Sequence, residues 1–397
     1  MWAYREHQVE GAAWALHTIR QHGLAYLGWE ERTGKTGTAL LTVEDSLAKT
    51  CLIVTKKKAI PGWEDALNNF PTKKKYMIIN YESVHKITHT FDFIILDEAH
   101  HAISSCPKPS LAFKRVSKLT KDKPILYLSA TPYAEHLGLI FHQLKLSSWT
   151  PLNYDSFYKF HRDLGIPEME YTPTPRETYK QYKKDEILKR IGHLFNWKKR
   201  SEVGIEHEPS VNLITVPLSD QQNVAIRTWL KDQLIELNDE WIPSDSPGKA
   251  RSVHYQMEGG TVKLEDSVYQ FDFIGKVDYI KKTYIGQDIA IMAHFVAERE
   301  MLSKEFPNTR ILSSDGDAEG VDLSNIAKLL IYSMSDKTSK YTQRLARQAN
   351  HERKTPIVVD ILVADKPGIG MGIYQSVALK KENFVKDSYE RFIRTIR

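Results

Sequence analysis

The sequence predicts an α/β protein with two lobes, each built on a mostly parallel sheet. Apolar runs of strand length alternate with helical patterns through residues 1–146, and the alternation returns after residue 286. Such alternation is typical of parallel strands joined by right-handed helical crossovers. A chain of 397 residues is also too long for one core, and it fits two domains with an insertion.

Composition is that of an ordinary globular protein, with 26% charged and 41% apolar residues. A formal net charge of +5 is a weak argument for a nucleic-acid partner. Two cysteines, Cys51 and Cys106, provide neither a disulfide framework nor a zinc site, so a reducing cytoplasm is expected. No apolar stretch approaches the about 20 residues that span a bilayer. We therefore expect no membrane partner, and the N-terminus does not resemble a signal peptide.

The stretch that organises the first lobe runs from Gly28 to Thr36. It follows the apolar run 24–27, ends in Gly-Lys-Thr and precedes a helical pattern. Such a loop binds a triphosphate because backbone N–H groups and the helix N-terminus point at the phosphates, Lys35 adds a positive charge, and the Thr36 hydroxyl can hold Mg²⁺. Trp29 replaces the usual first glycine of this pattern, so a surface turn that caps a helix is the alternative for this stretch alone.

An amphipathic helix is predicted over residues 5–20 from the spacing of its apolar positions. Arg5 and Gln8 lie at its start, just before the strand that leads into the loop. A glutamine at this place could read the edge of an adenine, because its amide is both a donor and an acceptor. Considered alone, Gln8 is better explained as an exposed polar residue.

Two carboxylates, Asp97 and Glu98, follow the apolar run 91–96. Side chains at the carboxyl ends of parallel strands lie in the crevice where open α/β sheets bind ligands. One carboxylate can hold Mg²⁺, and the other can orient or deprotonate a water for attack on the γ-phosphate. The same residues would also serve as a helix N-cap and a first-turn acid, and the two roles are compatible.

A third motif, Ser-Ala-Thr-Pro at 129–132, follows the apolar run 124–128. Gly-Lys-Thr, Asp-Glu-Ala-His and Ser-Ala-Thr-Pro, in this order and spacing, resemble the first motor domain of superfamily 2 helicase-type ATPases. Later parts of the chain resemble the Swi/Snf branch of that superfamily. Its compactness is most similar to that of phage-encoded members.

Residues 147–212 change character, with breaks at 147–151 and 172–175 and short helical patterns rich in basic and aromatic side chains. Interleaved basic and aromatic residues can track a nucleic-acid strand, and they equally suit the surface of a helical linker. The strand pattern at 211–218 resembles the entry into the second lobe of the Swi/Snf branch. We therefore expect lobes at 1–146 and 213–397 and a largely helical insertion at 147–212, and we assign no role to 232–285.

Gly-Val-Asp-Leu at 320–323 is similar to the fifth motif of the family, which touches nucleotide and DNA at the lobe interface. Considered alone, it is a turn between a strand and a helix. The sequence at 341–347 resembles the arginine motif, in which a planar, permanently charged guanidinium reaches the γ-phosphate and stabilises charge in the transition state. Considered alone, it is a helix with two exposed arginines.

The arginine motif can be aligned in two registers. The pair is either Arg344 with Arg347, or Arg347 with Asn350, and in the second register the arginine finger is lost. We favour the first register, because small and amide residues then follow the second arginine, as they do in the Swi/Snf branch.

The resemblance implies two RecA-like lobes with ATP and Mg²⁺ in the cleft between them, and hydrolysis that depends on DNA. The implied site residues are catalytic Lys35, Glu98, Arg344 and Arg347; nucleotide-binding Arg5, Gln8, Thr33, Gly34, Lys35, Thr36, Asp97, Gly320 and Asp322; and coupling His100, Ser129 and Thr131. Thr36 and Asp97 are the implied Mg²⁺ ligands. The implied partner is DNA, with duplex or branched DNA favoured over single-stranded DNA, which stays an alternative. The implied protein is a monomeric motor that works in viral DNA replication, recombination or repair and with the proteins of those processes.

Two alternatives belong to other classes. One is a protein that binds ATP and nucleic acid with an impaired second lobe and little turnover, which the Asn350 register favours. The other is a nuclease or restriction subunit, which lacks support because no separate carboxylate-lysine cluster stands out in the sequence.

Overall fold

The structure, a computed structural model, describes residues 4–133, 135–170, 176–205, 209–314, 323, 325–337, 341, 344–345, 356–365 and 368–385. The chain divides into two compact units, Met1–Gly204 with Lys380–Arg397 and Ile205–Leu379. Within the described ranges, no helix combines the length and the apolar character needed to cross a membrane.

The first unit contains α1 (Glu6–His22), β1 (Leu24–Trp29), α2 (Lys35–Glu44), β2 (Thr50–Thr55), α3 (Ile60–Asn68), β3 (Lys75–Asn80), β4 (Phe93–Asp97), α4 (His100–Ile103), α5 (Leu111–Thr120), β5 (Ile125–Leu128), α6 (Ile140–Leu144), α7 (Phe157–Leu164), β6 (Glu168–Glu170), β7 (Arg176–Thr178), α8 (Lys184–Ile191) and β8 (Phe195–Lys198). Six strands form one sheet in the order β3-β2-β4-β5-β1-β8, and all of its pairs are parallel. The short strands β6 and β7 form a separate antiparallel pair.

The second unit contains β9 (Ser210–Val216), α9 (Asp220–Asp232), β10 (Leu234–Leu237), β11 (Glu240–Pro243), α10 (Pro247–Gly259), β12 (Thr261–Lys263), β13 (Val268–Gln270), α11 (Gly275–Thr283), β14 (Ile289–Ala293), α12 (Val296–Glu305), β15 (Arg310–Ser313), β16 (Lys328–Ile331) and β17 (Val358–Ala364), and α13 (Ile369–Val385) follows β17. Five strands form a parallel sheet in the order β15-β14-β16-β17-β9. Two antiparallel hairpins, β10-β11 and β12-β13, accompany it.

The predicted α/β class with two parallel sheets is confirmed. Strand β1 shows why its sequence is apolar throughout, since all six of its residues are buried. Leu24 and Tyr26 pack into a core on one face of the sheet, and Leu27 and Trp29 pack into a core on the other. Successive side chains of a strand point to opposite faces, so a strand covered on both sides carries an unbroken apolar run.

Serine residues cap the N-termini of four helices. Ser110, Ser156, Ser219 and Ser246 each accept a hydrogen bond from the backbone N–H three residues later, at the starts of α5, α7, α9 and α10. Each such cap satisfies a donor that the helix leaves unpaired and contributes about 1 kcal/mol.

The segment 147–212, expected as a largely helical insertion, divides between the two units. Its helices α7 and α8 bury Phe157, Phe160 and Ile187 in the same core as the first sheet, and β8 joins that sheet beside β1. The strand β9 belongs to the second sheet instead. Strand β8 joins the first sheet because its residues alternate with a period of two: Phe195 and Trp197 are buried, and Asn196 and Lys198 are half-buried.

The carboxylate of Asp92 joins the starts of β2 and β4. Its Oδ2 accepts hydrogen bonds from the Lys49 N–H at 2.9 Å and from the Thr50 N–H and hydroxyl at 3.0 Å each. The backbone N–H of Lys49 is the largest contributor to a lowered pKa of Asp92. A carboxyl whose pKa is lowered by folding stabilises the fold above its ordinary pKa, and that contribution is lost as the pH falls.

We expect Asp92→Ala to lower the free energy of unfolding by about 1 kcal/mol at pH 7, a modest value because the carboxylate is exposed. The difference from wild type should shrink as the pH falls through the lowered pKa of Asp92. Urea unfolding followed by tryptophan fluorescence measures both effects. Asp45→Ala is the control, since the Asp45 carboxylate is exposed and makes no hydrogen bond within the described residues. An equal, pH-independent loss in both variants would contradict this role for Asp92.

Candidate nucleotide site of the first unit

The loop between β1 and α2 is closed by its own hydrogen bonds. Lys35 Nζ donates to the carbonyl oxygens of Trp29 at 2.7 Å and Glu30 at 3.0 Å. The fully buried Thr33 hydroxyl donates to the Glu30 carbonyl oxygen at 2.7 Å. Gly34 has a φ of 90°, in the left-handed region that favours glycine. The loop therefore holds an ammonium group at a helix N-terminus, the arrangement that binds phosphate.

Helix α1 is tied to this loop by two side chains. Gln8 Nε2 donates to the Gly34 carbonyl oxygen at 3.0 Å, and Gln8 Oε1 accepts from the Arg5 N–H at 3.0 Å. The His7 Nε2 atom lies 2.9 Å from the Thr33 carbonyl oxygen, and burial lowers the pKa of His7. The amide of Gln8, predicted to read adenine, thus bonds to backbone groups through both of its ends.

We expect Gln8→Leu to lower the free energy of unfolding by about 1–3 kcal/mol, because the Gly34 carbonyl and the Arg5 N–H lose a partner in a half-buried setting. Urea unfolding measures the change. Gln21→Leu makes the same substitution at an exposed position of the same helix and should change stability by less than about 0.5 kcal/mol. Equal effects of the two substitutions would show that the tether to the loop contributes nothing.

Asp97 ends β4 among hydrogen-bond donors. Its Oδ2 accepts from the Thr55 hydroxyl at 2.7 Å and from the Trp63 indole N–H at 2.9 Å. Burial raises the pKa of Asp97, while these two hydrogen bonds and the positive charge of Lys35 favour its ionised form. The loop that carries Lys35 leaves β1, and Asp97 ends β4; both strands flank β5 in the same sheet.

Glu98 follows with a φ of 51°, which is uncommon for a residue with a side chain. Its N–H donates to the Leu128 carbonyl oxygen at 2.8 Å, and its Oε2 accepts from the Ser129 hydroxyl at 3.1 Å. The Ser129 Oγ atom also lies 2.9 Å from His100 Nδ1 and accepts from the Thr131 N–H at 3.1 Å. The second carboxylate is therefore part of a network that continues through Ser129.

These groups meet at one edge of the first sheet. Strands β4, β5 and β1 are neighbours and run in the same direction, so their carboxyl ends lie side by side. The phosphate loop leaves β1, Asp97 ends β4, and Ser129 follows β5. This is the edge at which open parallel sheets bind their ligands.

The oxygen atoms available as metal ligands at this edge suit Mg²⁺. This ion prefers oxygen ligands, which the Asp97 carboxylate and the Thr36 hydroxyl supply. Both hydrogen bonds described for the Asp97 carboxylate reach Oδ2, so Oδ1 takes neither of them. Glu98, His100 and His101 also bring one ligand atom each within 4.8 Å of one another, but imidazole nitrogens suit transition metals rather than Mg²⁺.

Sequence reasoning missed a set of contacts between the loop and the segment around β8. The Trp29 indole N–H donates to Asn196 Oδ1 at 2.7 Å, and the Glu30 N–H donates to the Lys198 carbonyl oxygen at 2.9 Å. The Arg200 N–H donates to Glu30 Oε2 at 2.8 Å. The alternation of aromatic and polar residues along β8 is the signal that could have found this strand.

Arg344 lies in the second unit, where its side chain is fully buried. Its Nε donates to the Ser314 carbonyl oxygen at 2.5 Å, and its Nη2 donates to the Ser335 hydroxyl at 3.0 Å. Three other predicted site residues lie outside the described residues: Gly320, Asp322 and Arg347.

Sequence comparisons find relatives for part of the chain. Residues 44–134 match the family described as "Type III restriction enzyme, res subunit". The RNA polymerase-associated protein RapA of Pasteurella multocida is 31% identical over 149 residues, which cover 37% of this chain and 14% of RapA. RapA of Actinobacillus pleuropneumoniae serotype 7 is 32% identical over 110 residues, which cover 28% of this chain and 10% of RapA. The matched part is thus a small fraction of the length of these relatives.

Among solved structures, the Sulfolobus solfataricus SWI2/SNF2 ATPase core in complex with dsDNA aligns over 100% of this chain and 95% of its own, with 14% identity and a TM-score of 0.46. The same core domain without the complex gives a TM-score of 0.45 at 14% identity, over 98% of this chain and 92% of its own. The matched family segment, residues 44–134, contains Asp97, Glu98 and the motif at 129–132, so the recorded similarity falls on the part of the first unit that carries these residues.

Proposed function

We propose that this protein hydrolyses ATP when DNA is bound and uses the hydrolysis to move along duplex or branched DNA. The observation that carries the proposal is the meeting of the Lys35 loop, Asp97 and the Glu98–Ser129 network at the carboxyl edge of one parallel sheet. ATP hydrolysis needs a phosphate cradle, a metal-binding carboxylate and a group that orients water. The first unit offers residues for all three.

Each residue has a distinct role in this proposal. Lys35 leaves its two carbonyl partners to bind the β- and γ-phosphates, and Thr36 and Asp97 hold Mg²⁺, which neutralises phosphate charge when bound. Glu98 accepts the proton of the attacking water or orients it. Thr33 and Gly34 present the loop backbone to the phosphates. Gln8, with Arg5, reads adenine from α1 once its amide gives up its bonds to the Gly34 carbonyl and the Arg5 N–H.

The hydrogen bond between Ser129 and Glu98 offers a route for coupling. If the segment after β5 shifts, the Ser129 hydroxyl moves with it and its hydrogen bond to Glu98 Oε2 is lengthened or lost. The Glu98 carboxylate then changes its position. The Thr131 N–H and the His100 ring act on the same hydroxyl. We propose that DNA bound near this segment acts on hydrolysis through Ser129, His100 and Thr131.

In the second unit, we propose Arg344 and Arg347 as the arginines that stabilise charge on the γ-phosphate, and Gly320 and Asp322 as nucleotide contacts. Arg347→Ala should slow turnover while leaving ATP binding largely intact. Arg344→Ala is a less specific test, because Arg344 is fully buried and bonded to Ser314 and Ser335.

The test is steady-state ATP hydrolysis by wild type and Lys35→Ala, without polymer and with single-stranded, duplex or forked DNA, or with RNA. We expect stimulation to be strongest with duplex or forked DNA and to be absent in the variant. If RNA stimulates hydrolysis and none of the DNA substrates does, the partner is RNA and not DNA. If Lys35→Ala hydrolyses ATP as fast as wild type does, the assignment of the site is refuted.

A second candidate is a protein that binds ATP and nucleic acid with little turnover. The observation that favours it is the use of the Arg344 guanidinium inside the second unit, where it donates to Ser314 and Ser335. Measurable ATP binding without hydrolysis on any polymer would support this candidate over the motor.

For context, we propose a monomer in the cytoplasm, of phage type, that works in viral DNA replication, recombination or repair. The name of RapA describes an association with RNA polymerase. RNA polymerase is therefore a further candidate partner for this chain. Copurification with replication proteins and with RNA polymerase distinguishes these contexts.

A further inference from the structure

The second unit carries an open apolar groove of about 810 Å³, and none of the described residues assigned to ATP lines it. One wall is helix α9, which contributes Val224 and Ala225. The β10-β11 hairpin contributes Leu234 and Trp241, and Phe271, which follows β13, also lines the groove. The hairpin and Phe271 lie in the region 232–285, to which the sequence assigned no role, whereas most of the α9 residues of the groove precede it.

The floor of the groove belongs to the core, while its rim is exposed. Ala225 and Phe271 are buried. Trp241 is 59% exposed, Val224 57% and Leu234 37%. Single exposed apolar residues are ordinary, but large apolar side chains gathered around one concave surface mark a binding site.

The charged residues along this groove are all acidic. They are Asp220, Asp232 and Glu236, and among the residues that the structure describes no lysine or arginine lines the groove. Within the described residues, Asp220 and Glu236 have no ion-pair partner. Asp232 lies 3.9 Å from Lys231 Nζ, but both side chains are exposed, so this pair contributes little. The groove therefore favours an occupant that carries positive charge as well as apolar groups.

The acids are also spread along the groove. Asp220 and Asp232 are the first and last residues of α9, a helix of 13 residues. At 1.5 Å per residue they are about 18 Å apart along the helix axis, the length of about three helical turns. Charges at this spacing match a peptide segment better than a compact small molecule.

We propose that this groove binds a short amphipathic segment of a partner protein, with apolar side chains on one face and lysine or arginine beside them. The apolar side chains fill the space between Val224 and Trp241, and the cations face Asp220, Asp232 and Glu236. This is the groove-binding mode in which apolar anchors give affinity and flanking charges select the partner. The proposal does not depend on ATP hydrolysis.

The probe is a fluorescein-labelled 14-residue peptide, KLLKLLKKLLKLLK, titrated with the full chain and followed by fluorescence polarisation. Two matched peptides separate the contributions: ELLELLEELLELLE reverses the charge, and KSSKSSKKSSKSSK removes the apolar face. We expect the first peptide to bind at least about tenfold more tightly than either of the others. Equal binding of the acidic peptide would refute the role of the acidic rim.

Variants place the binding in the groove. Trp241→Ser/Val224→Ser and Asp232→Lys/Glu236→Lys should each weaken binding of the basic peptide at least about tenfold. Asp45→Lys/Glu64→Lys makes the same charge change in the first unit and should bind like wild type. Thermal melting of each variant checks that it folds.

Two outcomes would overturn the proposal. In the first, folded groove variants bind the basic peptide as wild type does. In the second, sedimentation velocity shows a dimer that Trp241→Ser dissociates, which would make this face a contact between copies of the chain.

Discussion

ATP turnover by Glu98→Gln is expected to fall about 10²–10⁴-fold, the range that a positioned acid or base contributes. Gln keeps the size of the side chain and an oxygen that can accept the Ser129 hydrogen bond, so the network around Ser129 should persist. What the substitution removes is the negative charge and the ability to take a proton. ATP binding, measured with a fluorescent ATP analogue, should therefore stay within a few-fold of wild type.

Glu82→Gln is the matched control, because Glu82 is an exposed carboxylate of the same unit. It should leave turnover unchanged. If Glu98→Gln keeps near-normal turnover, the attacking water is oriented by another group. If ATP binding falls in proportion to turnover instead, Glu98 acts in binding rather than in the chemical step.

Lys35→Ala should remove both ATP binding and hydrolysis. Removing a cation that stabilises a phosphate in the transition state costs about 10²–10³ in rate, and the loss of affinity adds to it at subsaturating ATP. The loop itself also changes, because the carbonyl groups of Trp29 and Glu30 lose their Nζ donor. Titration with the ATP analogue and steady-state hydrolysis measure the two effects separately.

Lys114→Ala, at an exposed position of α5, is the control for the loss of a positive charge from the first unit. Lys35→Arg is a second and more informative variant. It keeps the charge but replaces a compact ammonium with a larger planar group. If Lys35→Arg and Lys35→Ala are equally inactive, geometry in the loop matters as much as charge. If both hydrolyse ATP normally, the loop does not bind the triphosphate.

The sequence was sufficient wherever a feature is local. The run of apolar residues before Gly28, the Gly-Lys-Thr ending of the loop and the carboxylates after β4 each lie within a short stretch. Their spacing alone predicted parallel strands with polar groups at the carboxyl ends. The class of the fold and the edge of the first sheet followed from these stretches.

The sequence was insufficient where a feature depends on distant partners. The bond between Trp29 and Asn196 joins residues 167 positions apart, and no local pattern announces it. Strand β8 has only four residues, too few for its alternation to outweigh the basic helical pattern before it. The part played by Gln8 was also hidden, since its burial depends on how α1 packs against the loop.

The hairpins of the second unit illustrate a third limit. Strands β10 to β13 are three or four residues long and contain polar residues on their open sides. Strands of this length give a weak periodic signal, and their pairing decides whether they form at all. The groove between α9 and the β10-β11 hairpin could therefore be recognised only in the structure.

The placement of β8 has a mechanical consequence. The strand that leaves the first unit toward the second is the same strand that pairs with β1 and bonds to Trp29 and Glu30. A displacement of the segment that follows β8 would therefore act on the hydrogen bonds that Trp29 and Glu30 make with this strand. Tension applied through this segment is therefore expected to change the binding of nucleotide at the phosphate loop. A force-clamp experiment should find that the rate of nucleotide dissociation depends on the applied load.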